Sequence, residues 1–465
     1  MLRSLWLLFV YVSFLGASAQ APFVATLGYV WVDTFGPQSV AYILLNQIPV
    51  AMIMGAAAIV TYILFDRRSP PPLSAESALM IVMVIWVNLT MIWAEVPDAA
   101  WEKWNWAVKT LAFATFIPLV IRSRIQIEAF AQTYVFSLAA NFVPFGLKTL
   151  ISGGGYGANL GLVGGNTGLS EGGLLSTVCL MAVPLSMHLA EHSQLIPQMR
   201  LRSLAYWSIA GLAVATAIGT YERSALIGIV VLGAYMWIRT KHKCSFGIVA
   251  VLVGCFMIYA TSSAWNQRVA TIGSFERENS AYTRILVWRW TLTFAATHPF
   301  GGGFASNLIN RIELPGTENQ PATVEFGRAF HSIYFEMLGE LGYPGLGIFL
   351  LITAITFFKL RRLAKKTRAD PELAWVASLS DALQSGLAVF LSSGAFLGIA
   401  FQPMYWYFIA MSISLSAYVW RAEQRPDEQA WRGRTVMVTG PGAQPVPGWR
   451  GRPSPVGLKP ATPPR

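Results

Sequence analysis

The chain has 465 residues, 54% of them hydrophobic and 12% charged, with a formal net charge of +11. Soluble domains average about 25% charged residues, and a soluble protein of this length could not hide so much apolar surface. Apolar runs recur, each long enough at about 20 residues to cross a hydrocarbon core of roughly 30 Å. The composition therefore excludes a water-soluble globule and predicts an all-α, polytopic membrane protein.

The predicted spans lie, in chain order, near 4–21, 41–65, 75–94, 104–121, 125–147, 171–191, 203–220, 222–239, 244–263, 331–358, 380–402 and 404–420. The first, "MLRSLWLLFVYVSFLGASAQA", reads as an uncleaved helix or as a signal peptide, with Arg3, an apolar core and an A-x-A site at 17–19. The uncleaved reading is preferred. Residues 22–40 are too short and too rich in turn residues for a span, so they are expected at the outer surface or as a re-entrant segment. Loops sort by charge. Arg67 with Arg68, Arg122 with Arg124, Arg200 with Arg202, Arg239 with Lys241 and Lys243, and "KLRRLAKKTR" at 359–368 alternate with acidic or neutral loops such as "AEVPDAAWE" at 94–102. The positive-inside rule puts the basic set in the cytoplasm. Twelve spans with both ends inside satisfy every loop, and the net charge then needs no nucleic acid.

Cys179, Cys244 and Cys255 lie in or beside apolar runs without CxxC spacing, so no disulfide framework is expected. The tail from Arg421 is rich in Pro, Gly and Arg and reads as a disordered cytoplasmic extension. The expected organisation is about nine helices in 1–263, a large outer loop over 264–330, about three helices in 331–420 and the tail 421–465. No internal repeat of the transporter kind is visible.

Only the 264–330 loop is large enough to build an extramembrane site. It holds six arginines (Arg268, Arg277, Arg284, Arg289, Arg311, Arg328), five glutamates and no lysine. Arginine's planar fork grips phosphate or carboxylate in two places and stays charged when partly desolvated. Surface ion pairing and anion binding near the membrane both fit. "HPFGGGFASN" at 298–307 lacks the GK[ST] ending of a phosphate-binding loop, so it reads as a tight bend or a close packing point, with His298 structural. Arg223, in "GTYERSALIG", falls where a span begins on the outer side. The positive-inside rule disfavours it there, so interfacial snorkelling and a functional role both stand.

The segment "FGRAFHSIYFEMLGELGYPGLGIF" at 326–349 carries His331 at the mouth of a predicted helix. At about 100° per residue, Phe335, Leu338, Gly342, Gly345 and Phe349 fall within about 40° of His331, as a helix-packing seam. Glu336 and Glu340 fall about 140° and 180° away. They are expected to pair with polar groups on neighbouring helices rather than to orient the histidine. Pro344 is expected to kink the helix. A neutral histidine can accept a proton from a reacting hydroxyl, and nearby arginines favour the neutral form. A neutral base beside an arginine clamp suits glycosyl transfer from a diphosphate-linked donor, with the arginines stabilising the leaving diphosphate. No DxD or paired-carboxylate motif stands in an outer loop, so no metal or other cofactor is required.

In "YERSALIGI", "TRILVWRW", "HPFGGGF" and "HSIYFEMLGELGYPGLGIF", taken in that order, the chain resembles the O-antigen ligase and polymerase superfamily of bacterial envelopes. With the span count, the resemblance covers most of 40–420. "YVWVDTFGPQSVAYILLNQIPVAMI" and "VPDAAWEKWNWAVKTL" look most like the probable O-glycosylation ligases of exosortase systems. The resemblance implies a metal-independent, inverting transferase in the bacterial inner membrane, working at the periplasmic face. It would move a glycan from undecaprenyl diphosphate onto a protein hydroxyl or lipid A–core. Arg223 and Arg284 would contact the diphosphate and His331 would activate the acceptor; Arg289, His298, Glu336 and Glu340 are secondary candidates. Two departures stand out: Glu222, where a small polar residue is usual, and Ser332, where asparagine is common. A polymerase of the same superfamily is the near alternative. A lipid-linked glycan flippase is the distant one. An exosortase-like transpeptidase is discounted, because Cys255 is mid-span and Cys244 lies on the basic side.

Overall fold

The structure is a computed structural model that describes residues 2–41, 45–66, 68–152, 169, 171–196, 200–240, 243–260, 279–314 and 323–424. The described helices are α1 (Leu2–Ser18), α2 (Pro22–Phe35), α3 (Pro37–Val40), α4 (Val50–Phe65), α5 (Ala75–Thr90), α6 (Pro97–Val120), α7 (Arg124–Ser152), α8 (Gly172–His192), α9 (Arg200–Gly219), α10 (Arg223–Arg239), α11 (Lys243–Ala260), α12 (Asn279–Thr297), α13 (Ile333–Thr367), α14 (Ala374–Gly394) and α15 (Pro403–Gln424). A two-stranded antiparallel hairpin joins them, β1 (Arg311–Leu314) and β2 (Thr323–Phe326), with Arg311 opposite Phe326. Among the described residues, six helices are long and apolar enough to cross a membrane: α5, α7, α8, α9, α13 and α14. α1 and α4 are shorter apolar helices.

Local chemistry sets the ends. Proline opens α2, α6 and α15 at the first turn, where its missing N–H costs nothing. Ser74 caps α5 by accepting from Ser77 N at 3.1 Å. Gly36 ends α2 in a left-handed conformation, its N–H bonded to Val32 O. α8 is buried nearly all round. An apolar helix without a polar face belongs inside a bundle, and α8 lies between α7, α9, α10 and α14.

Three expectations change. Residues 22–35 are not a surface segment: α2 buries eight of its residues, including Tyr29 stacked on Phe113, against α4 and α7. The 264–330 region is not only loop, because 19 of its residues form α12, packed on α13. The third concerns the helix after His331. It begins at Ile333 and its break is at Gly342 (φ 69°, ψ −168°), two residues before Pro344. Proline then sits in the first turn of the second half, where it is tolerated. Residues 261–278, with Arg268 and Arg277, and the tail 425–465 lie outside the described residues.

The break at Gly342 fixes the glycine turn. Opening the helix frees carbonyls and amides that the turn takes up. Gly302 N and Gly303 N donate to Gly339 O and Glu340 O at 2.9 and 3.0 Å, and Tyr343 N donates to Pro299 O at 3.0 Å. Trp86 Nε1 donates to Leu341 O at 2.8 Å, and Trp93 Nε1 to Gly301 O at 3.1 Å. Gly301, at φ 80°, lies so close that a methyl there would meet Glu340 O at 2.5 Å. "HPFGGGF" is thus a close backbone packing point.

Candidate functional site

His331 has φ 47°, a left-handed conformation that is uncommon outside glycine. A residue so strained persists only where its surroundings over-determine it, and here both flanks are held. Phe330 is buried, and its carbonyl accepts from Trp288 Nε1 at 2.8 Å. Trp288 stacks on Phe335 with centroids 5.1 Å apart. Upstream, fully buried Asn310 brackets Arg328: Oδ1 accepts from Arg328 N at 3.0 Å and Nδ2 donates to Arg328 O at 2.6 Å. Downstream, Ser332 is buried and accepts from Glu336 N at 2.8 Å, starting the helix. Because His331 precedes the helix, helical angles do not apply to it, and the expected separation from Glu336 fails. A methyl built on Gly398 would sit 3.7 Å from Glu336 Oε2 and 3.8 Å from His331 N, so the carboxylate and the histidine backbone border one small space.

Burial, then Arg284, then Arg328 hold the His331 imidazole below its ordinary pKa, with Glu336 opposing. Arg284 lies one turn before Trp288 on α12. It also faces Glu171, at the start of α8, whose carboxyl is raised by desolvation and by Glu222, against the pull of Arg284. Glu222 packs on Gly172: a methyl there would lie 3.1 Å from Glu222 Oε1. Glu171 therefore lies beside both Arg284 and Glu222; Glu222 already stands out in the sequence as a departure next to Arg223, whereas nothing in the sequence singles out Glu171.

Arg223 is the first residue of α10. The next residue links it towards His331, because Ser393 Oγ donates to Ser224 O at 3.1 Å and a methyl on the adjacent Gly394 would meet Ile333 Cδ1 at 3.0 Å. The starts of α10 and α13 thus meet on the last turn of α14. Among the described residues, the non-glycine positions with positive φ are Tyr221, Ala305 and His331. Tyr221 precedes Glu222 and Arg223, and Ala305 hydrogen-bonds the helix that His331 opens. Backbone strain of this kind clusters at functional sites.

Beneath the histidine lies a buried ion triad. Lys103 Nζ donates to Glu336 Oε1 at 2.6 Å and to Glu340 Oε1 and Oε2 at 2.8 and 2.9 Å. The carboxylates also take backbone donors: Ala400 N reaches Glu336 Oε2 at 2.9 Å, and Ala305 N reaches Glu340 Oε1 at 3.0 Å. The ammonium lies over the Phe401 and Phe304 rings, 5.1 and 5.7 Å from their centroids. Both glutamates pair with a neighbouring helix, as expected. The lysine was missed, although two glutamates in an apolar run demand a cation nearby.

The other candidates sit elsewhere. Arg289 is exposed on α12, about 140° around the helix from Arg284. His298 stacks on Phe294, with centroids 4.2 Å apart, and faces Glu95 at 3.5 Å, a structural placement. Arg311 pairs with Glu313 on the exposed hairpin. No group of three metal-ligating side chains is found among the described residues.

The site falls within a recognisable stretch of chain. Residues 208–350 match the family model described as O-Antigen ligase. The match supports the O-antigen ligase superfamily, and a ligase- or polymerase-type function in a multi-pass membrane protein. It holds Arg223, Arg284, His331, Glu336 and Glu340. Residues 2–194 match a family of unknown function (DUF5935), and this part supplies Lys103 and Glu171. The ion triad therefore joins the two matched regions. No curated protein matches the chain.

Proposed function

We propose that this protein transfers a glycan from a polyprenyl diphosphate carrier, undecaprenyl diphosphate in a bacterial inner membrane, to a hydroxyl acceptor at the periplasmic face. His331 accepts the acceptor's proton as its oxygen attacks the anomeric carbon. The bond from that carbon to the diphosphate oxygen breaks on the opposite face, so configuration inverts. The leaving diphosphate keeps the electron pair, and Arg284 and Arg223 stabilise its charge. Twelve spans with both ends in the cytoplasm give the required topology. No cofactor takes part. The observation that carries the reading is His331 itself: strained, braced on both sides, and with its pKa held below the ordinary histidine value by burial and Arg284, inside the stretch that matches the O-antigen ligase model.

The test uses full-length protein, with membrane levels checked for each variant. His331→Ala should lower transfer by about 10²-fold or more, the usual worth of a general base; intact transfer would sink the base assignment. Arg223→Ala and Arg284→Ala should each cost far more than Arg311→Ala, whereas equal losses would indicate general damage. EDTA should leave transfer unchanged. The polymerase reading separates by product. Loss of a ligase leaves full-length carrier-linked polymer, and loss of a polymerase leaves single repeat units. The resemblance to exosortase-associated proteins favours a protein hydroxyl over lipid A–core, and glycan-labelled protein in the membrane fraction would report it.

A further inference from the structure

We propose that Lys103 is a positioning residue for the transfer site, gripping Glu336 and Glu340 so that the start of α13, and with it His331, is fixed. The inference rests on the assignment of His331 as base.

Three segments converge on the two carboxylates. Glu340 takes Ala305 N from the glycine turn, Glu336 takes Ala400 N from the segment before α15, and Lys103 of α6 spans both. Glu336 and Glu340 are one helical turn apart and are 4% and 0% exposed, while the Lys103 side chain that bridges them is 21% exposed. Lys103 Nζ has three carboxylate oxygens at bonding distance. Removing the lysine would leave two buried carboxylates together, and like charges in a low-dielectric site force one to protonate or both to move. Movement would be felt at once by His331, because Glu336 is in the first turn of α13 and borders the same space as the histidine backbone. Beyond the break at Gly342 the helix is held separately, by Lys359 pairing with Glu76 of α5 at 3.0 Å, so that anchor does not set the first turn.

The charged groups facing His331 are Arg284 from α12, Arg328 from the strap that follows β2, and Glu336 from α13. Glu171, at the start of α8, lies near Arg284 and Glu336, with Glu222 beside it. Glu336 is the near carboxylate among these, and Lys103 sets where it points. A lysine here also makes the 2–194 region a working part of the transfer site.

Transfer kinetics of full-length Lys103→Met, Lys103→Arg and Glu336→Gln test this. Misplacing a catalytic group by about 1 Å can cost about 10²-fold. Lys103→Met should therefore cut kcat at least about 10-fold while donor KM changes little, because the arginines stay in place. Lys103→Arg should recover much of the loss. Glu336→Gln should move the acidic limb of the pH profile down, since a carboxylate that favours imidazolium is gone. Wild-type kcat in Lys103→Met would overturn the proposal, as would equal damage to kcat and KM that arginine does not rescue. If Lys103→Met does not insert, an unmoved limb in Glu336→Gln overturns it instead. An active His331→Ala would sink the base assignment, a result distinct from all of these.

Discussion

Replacing Gly342 with alanine attacks the joint between α13 and the glycine turn. Its backbone, at φ 69° and ψ −168°, lies in a region that only glycine enters freely. A methyl there would meet Pro299 O at 2.3 Å, Phe300 C at 2.4 Å and Gly301 N at 2.5 Å, all backbone atoms that cannot rotate away. Holding a side chain in such a conformation costs about 1–3 kcal/mol. Relieving the clash separates the turn from the helix and breaks the bonds Gly302 N–Gly339 O, Gly303 N–Glu340 O and Tyr343 N–Pro299 O. At about 0.5–1.5 kcal/mol net for each bond, the whole loss comes to about 2.5–7.5 kcal/mol, a large share of the 5–15 kcal/mol typical of a folded domain. Gly347 is the control. It lies exposed on the same helix with nothing within 4 Å of an added methyl. Alanine there should be neutral or stabilising by about 0.5–1 kcal/mol. Thermal unfolding of the detergent-solubilised protein, read beside transfer in membranes, compares the two. Equal melting temperatures for Gly342→Ala and wild type would refute the joint.

Two further outcomes follow from the strap that holds His331. Burial and the two arginines lower its pKa, so the neutral base should persist below the ordinary histidine value of about 6.5. The acidic limb of transfer should lie under that pH, and Arg328→Gln, which removes a nearby cation, should move it upward; an unmoved limb would mean that His331 does not set it. Asn310→Ala should release the strap by stripping Arg328 of both backbone partners, at about 0.5–1.5 kcal/mol net for each part-buried bond lost. Transfer should then fall more steeply than melting temperature.

The class of protein was legible in the chain, because apolar runs long enough to span a bilayer cannot be read any other way. The polar residues of interest were legible too: His331 and Arg223 each stand at the edge of an apolar run, where a charge has to be explained, and Arg284 belongs to the lysine-free arginine set of the outer loop. Their surroundings were not. A helical wheel assigned Glu336 a direction away from His331, yet the histidine adopts a left-handed turn before the helix begins. The turn exists because Asn310 and Trp288, 21 and 43 residues upstream, hold its flanks. No local pattern encodes that.

Composition and charge thus determined by themselves that this chain is a helical, multi-pass membrane protein whose loops sort by charge. Those properties depend on what each segment is made of. Only the tertiary structure decided that Lys103 answers Glu336 and Glu340 across more than 230 residues, that the helix opens at Gly342 and not at Pro344, and that "HPFGGGF" fills the opening. Those are pairings between segments. A buried charge fixes only that some partner must exist, and the packing of the bundle chooses which one.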